Sequence, residues 1–181
     1  MLGLGLRRRF SSWIERAALL GGFFRLDDAE QWRRCKRIVF VCTGNICRSP
    51  YAEFVARQRG LQAISCGIDT DTGLPADDTA VREAGRRERD MMPHRTTRWE
   101  DVQLAEGDVV VALELRHALA VRSRCRMHNV PVVLMSSFLS DNFEVLRDPY
   151  GHHQSEYARV FDLIEKSVER MVEKVRGLTS T

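Results

Sequence analysis

The 181-residue chain contains no apolar run that approaches the length needed to span a bilayer. No N-terminal stretch follows the charged, apolar, then small-residue order of a secretory signal. These two absences predict a cytoplasmic protein. Cysteine-based scaffolds are excluded on similar grounds. The five cysteines are odd in number, none forms a C-x-x-C pair, and Cys125 with His128 offers two metal ligands at most. In a reducing compartment they are free thiols, and Cys35, Cys66 and Cys125 read as small buried hydrophobes. Internal repeats and low-complexity segments are also missing, and nothing in the sequence calls for a metal or a cofactor.

An excess of charge is lacking over most of the chain. Of 28 basic and 25 acidic residues, seven and four fall in residues 1–34, which leaves 21 of each sign in the remainder. A neutral domain behind a basic arm does not have the charge distribution of a nucleic-acid binder. The domain is expected over residues 35–181, long enough for one substantial core, with residues 1–34 as an N-terminal helical extension. In the extension Phe10, Trp13, Ile14, Ala17 and Leu20 keep helical spacing beside Arg7, Arg8, Arg9 and Arg16. That pattern suits either an amphipathic helix meeting a membrane surface or a partner, or an extension that packs on itself.

Beyond the arm, apolar runs alternate with helical patterns. Strands are expected at Arg37–Val41, Ala63–Ile68, Asp108–Leu113 and Pro131–Met135, where β-branched residues concentrate. Helices are expected over Tyr51–Arg57, closed by Gly60, over Asp77–Arg89 with Val81, Ala84 and Gly85 inward, and from Glu114 to about Met127. A short helix is expected at Glu100–Leu104. The clearest helix carries Tyr157, Val160, Phe161, Ile164, Val168, Met171, Val172 and Val175 at spacings of three and four. The mixed-sign run Arg82–Arg89 reads as a solvated face. This alternation implies a single-domain, three-layer α/β/α fold around a four-stranded parallel sheet, flavodoxin-like or Rossmann-like.

Such sheets bind ligands beyond the carboxyl ends of their strands. There the first strand runs into Cys42-Thr43-Gly44-Asn45-Ile46-Cys47-Arg48-Ser49-Pro50, with Ser49 expected to cap the helix and Pro50 to take its first position. A loop that turns from strand into helix start presents N–H groups to an oxyanion. Those groups and an adjacent guanidinium also stabilise a cysteine thiolate. The planar fork of Arg48 can hold two oxygens of a tetrahedral anion. Asp148 follows the fourth strand and can rise from the same rim.

The string Val41–Pro50 resembles the phosphate-binding loop of the low-molecular-weight protein tyrosine phosphatases. The likeness continues at Ser65-Cys66-Gly67, Gly73-Leu74-Pro75-Ala76-Asp77, Leu113-Glu114 with His117, and Asp148-Pro149-Tyr150-Gly151. The resemblance implies Cys42 as nucleophile, a cysteinyl-phosphate intermediate, Arg48 as phosphate ligand, and Asp148 as general acid and then base. It implies that Thr43, Gly44, Asn45, Ile46, Cys47 and Ser49 complete the phosphate site. Asn45 would hold the loop in a strained form, and Ser49 would donate to the thiolate. Tyr150 would form one wall for a phosphotyrosine ring carried by a protein substrate. Cys47 reads either as inert or as a disulfide partner protecting Cys42.

Two features depart from that pattern. Ile68-Asp69-Thr70-Asp71-Thr72 carries no aromatic for a second substrate wall, and Gly151 stands where other members have a second tyrosine. Phosphoarginine phosphatases, which resemble this chain too, place threonine where Ile46 stands. A thioredoxin-linked arsenate reductase would need clustered resolving cysteines, whereas Cys66 and Cys125 are isolated. A non-catalytic phosphoprotein-binding scaffold would need neither Cys42 nor Asp148.

Overall fold

The computed structural model describes residue 24, residues 29–139 and residues 146–177. The amphipathic spacing from Phe10 to Leu20 therefore lies outside the described residues. A short helix α1 (Ala29–Arg33) precedes β1 (Arg37–Cys42), α2 (Arg48–Gln58), β2 (Ala63–Gly67) and α3 (Asp78–Gly85). A 3-10 turn at Trp99–Asp101 leads to β3 (Asp108–Ala112), α4 (Leu115–Met127) and β4 (Val132–Leu134). A second 3-10 turn, Met135–Phe138, and α5 (Gln154–Arg176) complete the chain.

The four strands are parallel in the order β2-β1-β3-β4. Their registers place Cys42 beside Gly67 and Val41 beside Ala112, so β1, β2 and β3 end together. From β1 the chain steps one way to β2 and then back to β3, which puts the topological switch between β1 and β3. The crevice at the end of β1 is thus fixed by strand order.

Side chains alternate across the sheet. Ile38, Phe40, Val109 and Val111 pack with Tyr51, Val55, Phe161, Ile164 and Val168 from α2 and α5. Val39, Val41 and Val110 face Val121 and Cys125 of α4 and Trp99 on the other side. These are the three expected layers. Trp32 of α1 joins the first layer, edge-on to Phe138 at 5.5 Å between ring centroids. α5 ends at Gly177, whose φ of 69° is a left-handed cap that glycine adopts without a Cβ clash.

The structure differs from the sequence expectation in four places. α2 starts at Arg48, so Ser49 and Pro50 are its second and third residues, and Cys47 caps it without a side-chain hydrogen bond. Pro50 remains tolerated because the N–H groups of the first turn have no partner inside the helix. α3 stops at Gly85, which is exposed, while Ala80, Glu83 and Ala84 face inward. Glu100–Leu104 gives only the turn at Trp99–Asp101. The charged run after Arg82 is more than a solvated face: Arg87 reaches Glu83 at 3.0 Å and Asp162 at 2.7 Å, and Arg89 reaches Glu165 at 2.9 Å.

Candidate active site

The loop between β1 and α2 is held by its carbonyls. Cys42 O accepts from Ile68 N (3.1 Å), Thr43 O from Asp69 N (3.0 Å) and Ile46 O from Asp77 N (3.0 Å). His94 Nε2 binds Asn45 O at 2.7 Å. In a trans peptide the carbonyl and the following N–H point in opposite directions. Four carbonyls anchored outward therefore turn the N–H groups of Thr43, Gly44, Ile46 and Cys47 toward the inside of the loop. The anchors come from the segments after β2 and α3, so the cradle is a tertiary construction.

Asn45 is its hub. Its φ of 52° is left-handed, a region asparagine tolerates better than most residues. Its Nδ2 donates to Ser49 Oγ (2.9 Å) and Ser65 Oγ (2.8 Å), and its Oδ1 accepts from Thr97 N (2.8 Å). Ser65 Oγ donates in turn to Glu53 at 2.6 Å, and Glu53 is paired with Arg57 at 2.8 Å. Burial pushes the Glu53 carboxyl up, against the pull of Ser65 and Arg57. Gly67 leaves no room for a side chain: a Cβ there would lie 2.6 Å from Thr43 O.

Inside the cradle lies Cys42 Sγ, 3.0 Å from Ser49 Oγ and accepting from Asn45 N at 3.3 Å. Cys42 and Cys47 are both free and both buried, and burial pushes the Cys47 thiol well up. Arg48 is 1% exposed. Burial opposes its charge, yet Cys42, Glu114 and Asp148 together hold its pKa above the ordinary arginine value. Its Nη2 meets Asp148 Oδ2 at 2.8 Å, its Nη1 meets Glu114 Oε1, and its Nε is buried without a partner. Asp148 therefore does share the rim with Cys42 and Arg48, across about a hundred residues of sequence.

Glu114 and His117 frame the loop from the end of β3. Glu114 N donates to His117 Nδ1 at 3.1 Å, so His117 carries its proton on Nε2, which lies 3.0 Å from Thr43 Oγ1. Burial lowers the His117 pKa to about 3 and keeps the ring neutral. Arg48 and Arg116 hold the Glu114 carboxyl below its usual range although burial opposes this. Neither Glu114 nor Arg116 stood out from the sequence as a group contacting the reacting centre. Their position directly after the switch-point strand is the signal that was available.

A cavity of about 640 Å³ opens over this arrangement. Its lining includes Tyr150, which is 60% exposed, together with Ile68, Leu74 and Arg98. Tyr150 is the only aromatic among the described lining residues. No group of three or more His, Cys, Asp or Glu is placed to hold a metal ion among the described residues.

Residues 37–179 match the family model described as low molecular weight phosphotyrosine protein phosphatase. The probable low molecular weight protein-tyrosine-phosphatase EpsP of Ralstonia nicotianae is 28% identical over 145 residues, covering 79% of this chain and 98% of that protein. The low molecular weight protein-tyrosine-phosphatase Wzb of Escherichia coli is 28% identical over 142 residues, 77% of this chain and 95% of that one. Among solved structures, the YwlE arginine phosphatase from Geobacillus stearothermophilus superposes with a TM-score of 0.71 at 25% identity, covering 79% of this chain and 94% of that one. The family match begins at the first residue of β1 and runs past the end of α5, so it takes in the sheet, both helical layers and every residue of the cradle. The chain belongs to the low molecular weight phosphotyrosine protein phosphatase family.

Proposed function

We propose that the protein hydrolyses phosphotyrosine in proteins through a cysteinyl-phosphate intermediate. The observation that carries this reading is the meeting of three groups: Cys42 Sγ in the loop, accepting from Asn45 N, Arg48 at the start of the helix that follows, and Asp148 beside Arg48 at 2.8 Å. The Cys42 thiolate attacks phosphorus while the bond to the phenolic oxygen breaks, and Asp148 gives that oxygen its proton. In the second step Asp148 takes a proton from water. The water oxygen attacks phosphorus, the S–P bond breaks, and phosphate leaves with the thiolate restored. Loop amides and the Arg48 fork carry the charge on the equatorial oxygens throughout.

Ile46 favours an aryl phosphate over a phosphoguanidinium, since an apolar side chain offers that group no hydroxyl. Tyr150, Ile68 and Leu74 supply apolar surface along the cavity where a ring can lie. The test compares turnover of phosphotyrosine, phosphoarginine and phosphoserine peptides. Phosphotyrosine is expected to lead, Cys42→Ser to abolish turnover, and Asp148→Ala to slow it about a hundredfold or more, the usual scale of a general acid. A preference for phosphoarginine would overturn the substrate assignment, and hydrolysis by Cys42→Ser would overturn the mechanism.

Residues 35–181 are taken as the phosphatase domain and residues 1–34 as an extension that brings this cytoplasmic enzyme to an anionic membrane surface. Supporting this, Phe24 O accepts from Leu134 N at 2.9 Å, and Phe24 lines a groove at the amino ends of the strands. Lys36, Arg122 and Arg126 line the same groove. Glu106 and Asp108 line it as well, and Phe24, Arg33 and Arg34 of the arm border it, so it is the basic, amphipathic spacing of the arm that supports the membrane reading. Full-length protein is expected to sediment with phosphatidylglycerol vesicles and to stay free of phosphatidylcholine vesicles. Equal behaviour with both would reject this reading.

A further inference from the structure

Asp148 sits between two guanidinium groups. Its Oδ2 lies 2.8 Å from Arg48 Nη2 and 3.7 Å from Arg116 Nη2. Arg116 is itself held by Glu114, with Nε donating to Oε2 at 3.1 Å and Nη2 to Oε1 at 3.1 Å. Glu114 also holds Arg48 Nη1, which donates to Leu146 O at 3.3 Å as well. Two arginines and two carboxylates therefore form one closed set, of which Arg48 and Asp148 line the cavity.

This arrangement conflicts with phosphate binding. A phosphoryl group bound by two parallel N–H donors needs neighbouring nitrogens of the Arg48 fork. Nη1 faces Glu114 and Leu146 O, so the pair left for substrate is Nε, which has no partner, and Nη2, beside which Asp148 Oδ2 lies. A phosphoryl group bound on that edge brings its oxygens against the Asp148 carboxylate, and the two anions repel. That repulsion is relieved when Asp148 takes up the proton it needs as general acid, and also when a second cation draws the carboxyl away from Arg48. Arg116 is that cation, less than a hydrogen-bond length further from the same oxygen and already oriented by Glu114.

We propose that Arg116 is a positioning residue that takes Asp148 over from Arg48 as the phosphoryl group binds. Held through Oδ2 by Arg116, Asp148 uses Oδ1, which also accepts from Tyr150 N at 3.3 Å, to carry the proton that passes to the leaving oxygen. Glu114 stays on both arginines and sets the distance between them. The exposure of Arg116, whose side chain is 54% accessible, argues against a role in stability, because exposed ion pairs contribute little. The proposal rests on the assignment of Asp148 as the general acid.

The experiment uses the full chain with Arg116→Ala and Arg116→Lys, assayed with p-nitrophenyl phosphate and phenyl phosphate. Phenolate is the poorer leaving group and depends more on a well-placed acid. The ratio of kcat/KM between the two substrates is expected to widen about tenfold in Arg116→Ala, a fraction of the full general-acid effect. Arg116→Lys should recover part of that loss. Inhibition by inorganic phosphate should weaken about fivefold in Arg116→Ala, because Asp148 then competes more strongly for Arg48. An unchanged substrate ratio, or an equal fall for both substrates with a lowered Tm, would overturn the proposal. Absence of any aryl phosphatase activity in the wild type would instead overturn the assignment of function. In that case the phosphate-induced rise in Tm, compared between wild type and Arg116→Ala, decides the handover: a smaller rise in the variant supports it and an equal rise rejects it.

Discussion

Replacing Asn45 separates two things its side chain and backbone do for the cradle. The residue is fully buried, and its φ of 52° places it where an L-residue with a Cβ is strained. Alanine at this φ costs roughly 1–2 kcal/mol in backbone strain. It also loses three side-chain hydrogen bonds, to Ser49, Ser65 and Thr97, each worth about 1 kcal/mol net. The expected loss for Asn45→Ala is therefore roughly 4 kcal/mol. For a chain of this size, each kcal/mol lowers Tm by about 2–4 °C, so a fall on the order of 10 °C follows. Asn45→Gly loses the same hydrogen bonds without the strain and should be more stable than Asn45→Ala by about 1 kcal/mol. Asn45→Asp tolerates the backbone and keeps an acceptor for Thr97 N, but it turns a donor toward Ser49 and Ser65 into an acceptor. It should be no more stable than Asn45→Gly, because it buries a carboxylate with no cation beside it, and should lose activity, since it sets a negative charge close to Cys42. Urea unfolding of the three variants, with aryl phosphate turnover measured in parallel, checks the order. If Asn45→Ala equals or exceeds Asn45→Gly in stability, the left-handed backbone is not the constraint. If all three stay within about 1 kcal/mol of wild type, the hydrogen-bond hub does not hold the loop.

Gly67→Ala should damage the cradle with little change in composition, because the new Cβ would lie 2.6 Å from Thr43 O and 3.0 Å from Asn45 N, both backbone atoms. Weakened protection of Cys42 from alkylation by bound phosphate would show it, and wild-type protection would refute the close approach. Stability should also fall on acidification: His117, lowered by burial to about 3 against 6.5 for the free side chain, stays neutral after the unfolded chain has taken up its proton. Stability is therefore full above pH 6.5 and drops below it by up to about 1.4 kcal/mol per pH unit for each such histidine, and His94, also lowered by burial, acts in the same sense. His117→Gln should reduce that slope in urea unfolding between pH 6.5 and 5, and an unchanged slope would reject the assignment.

The sheet and the long C-terminal helix were legible because each is written in local apolar spacing. Arg37–Cys42 and Asp108–Ala112 are continuous apolar runs since both faces of a parallel strand are covered. The apolar stripe of α5, from Tyr157 to Val172, repeats at helical spacing because one side of it packs on the sheet layer. The start of α2 was misread for the opposite reason. Ser49-Pro50 has the local form of a cap and first helical residue, but Arg48 already belongs to the helix. The carbonyl anchors from Ile68, Asp69, Asp77 and His94 wind the loop tightly before it. No local pattern records partners that lie tens of residues away. The run after Arg82 fails similarly: Glu83 is a local partner of Arg87, but Asp162 and Glu165, which also engage Arg87 and Arg89, are on α5.

The same contrast explains which parts of the site were readable. Cys42, Arg48 and Asp148 could be placed together from topology alone, because a parallel sheet brings the ends of all its strands to one rim. Their pairing could not. The family resemblance implies Arg48 for the phosphate and Asp148 for the leaving group, each with a task of its own. In the folded chain the two lie 2.8 Å apart, so a phosphoryl group on that edge of Arg48 meets the Asp148 carboxylate. The charge that makes Arg48 a phosphate ligand also makes it the best local partner for a carboxylate, and Asp148 is the carboxylate at hand. A second cation beside Asp148 relieves this conflict without weakening Arg48. The carboxylate that places both cations is Glu114, the first residue of the chain after β3 to reach the rim. Removing that carboxylate while leaving both arginines in place should therefore uncouple Asp148 from its two positions. Glu114→Gln is expected to lower kcat/KM for phenyl phosphate more than for p-nitrophenyl phosphate, as in Arg116→Ala. Equal losses for the two substrates would show that Glu114 acts on Arg48 alone.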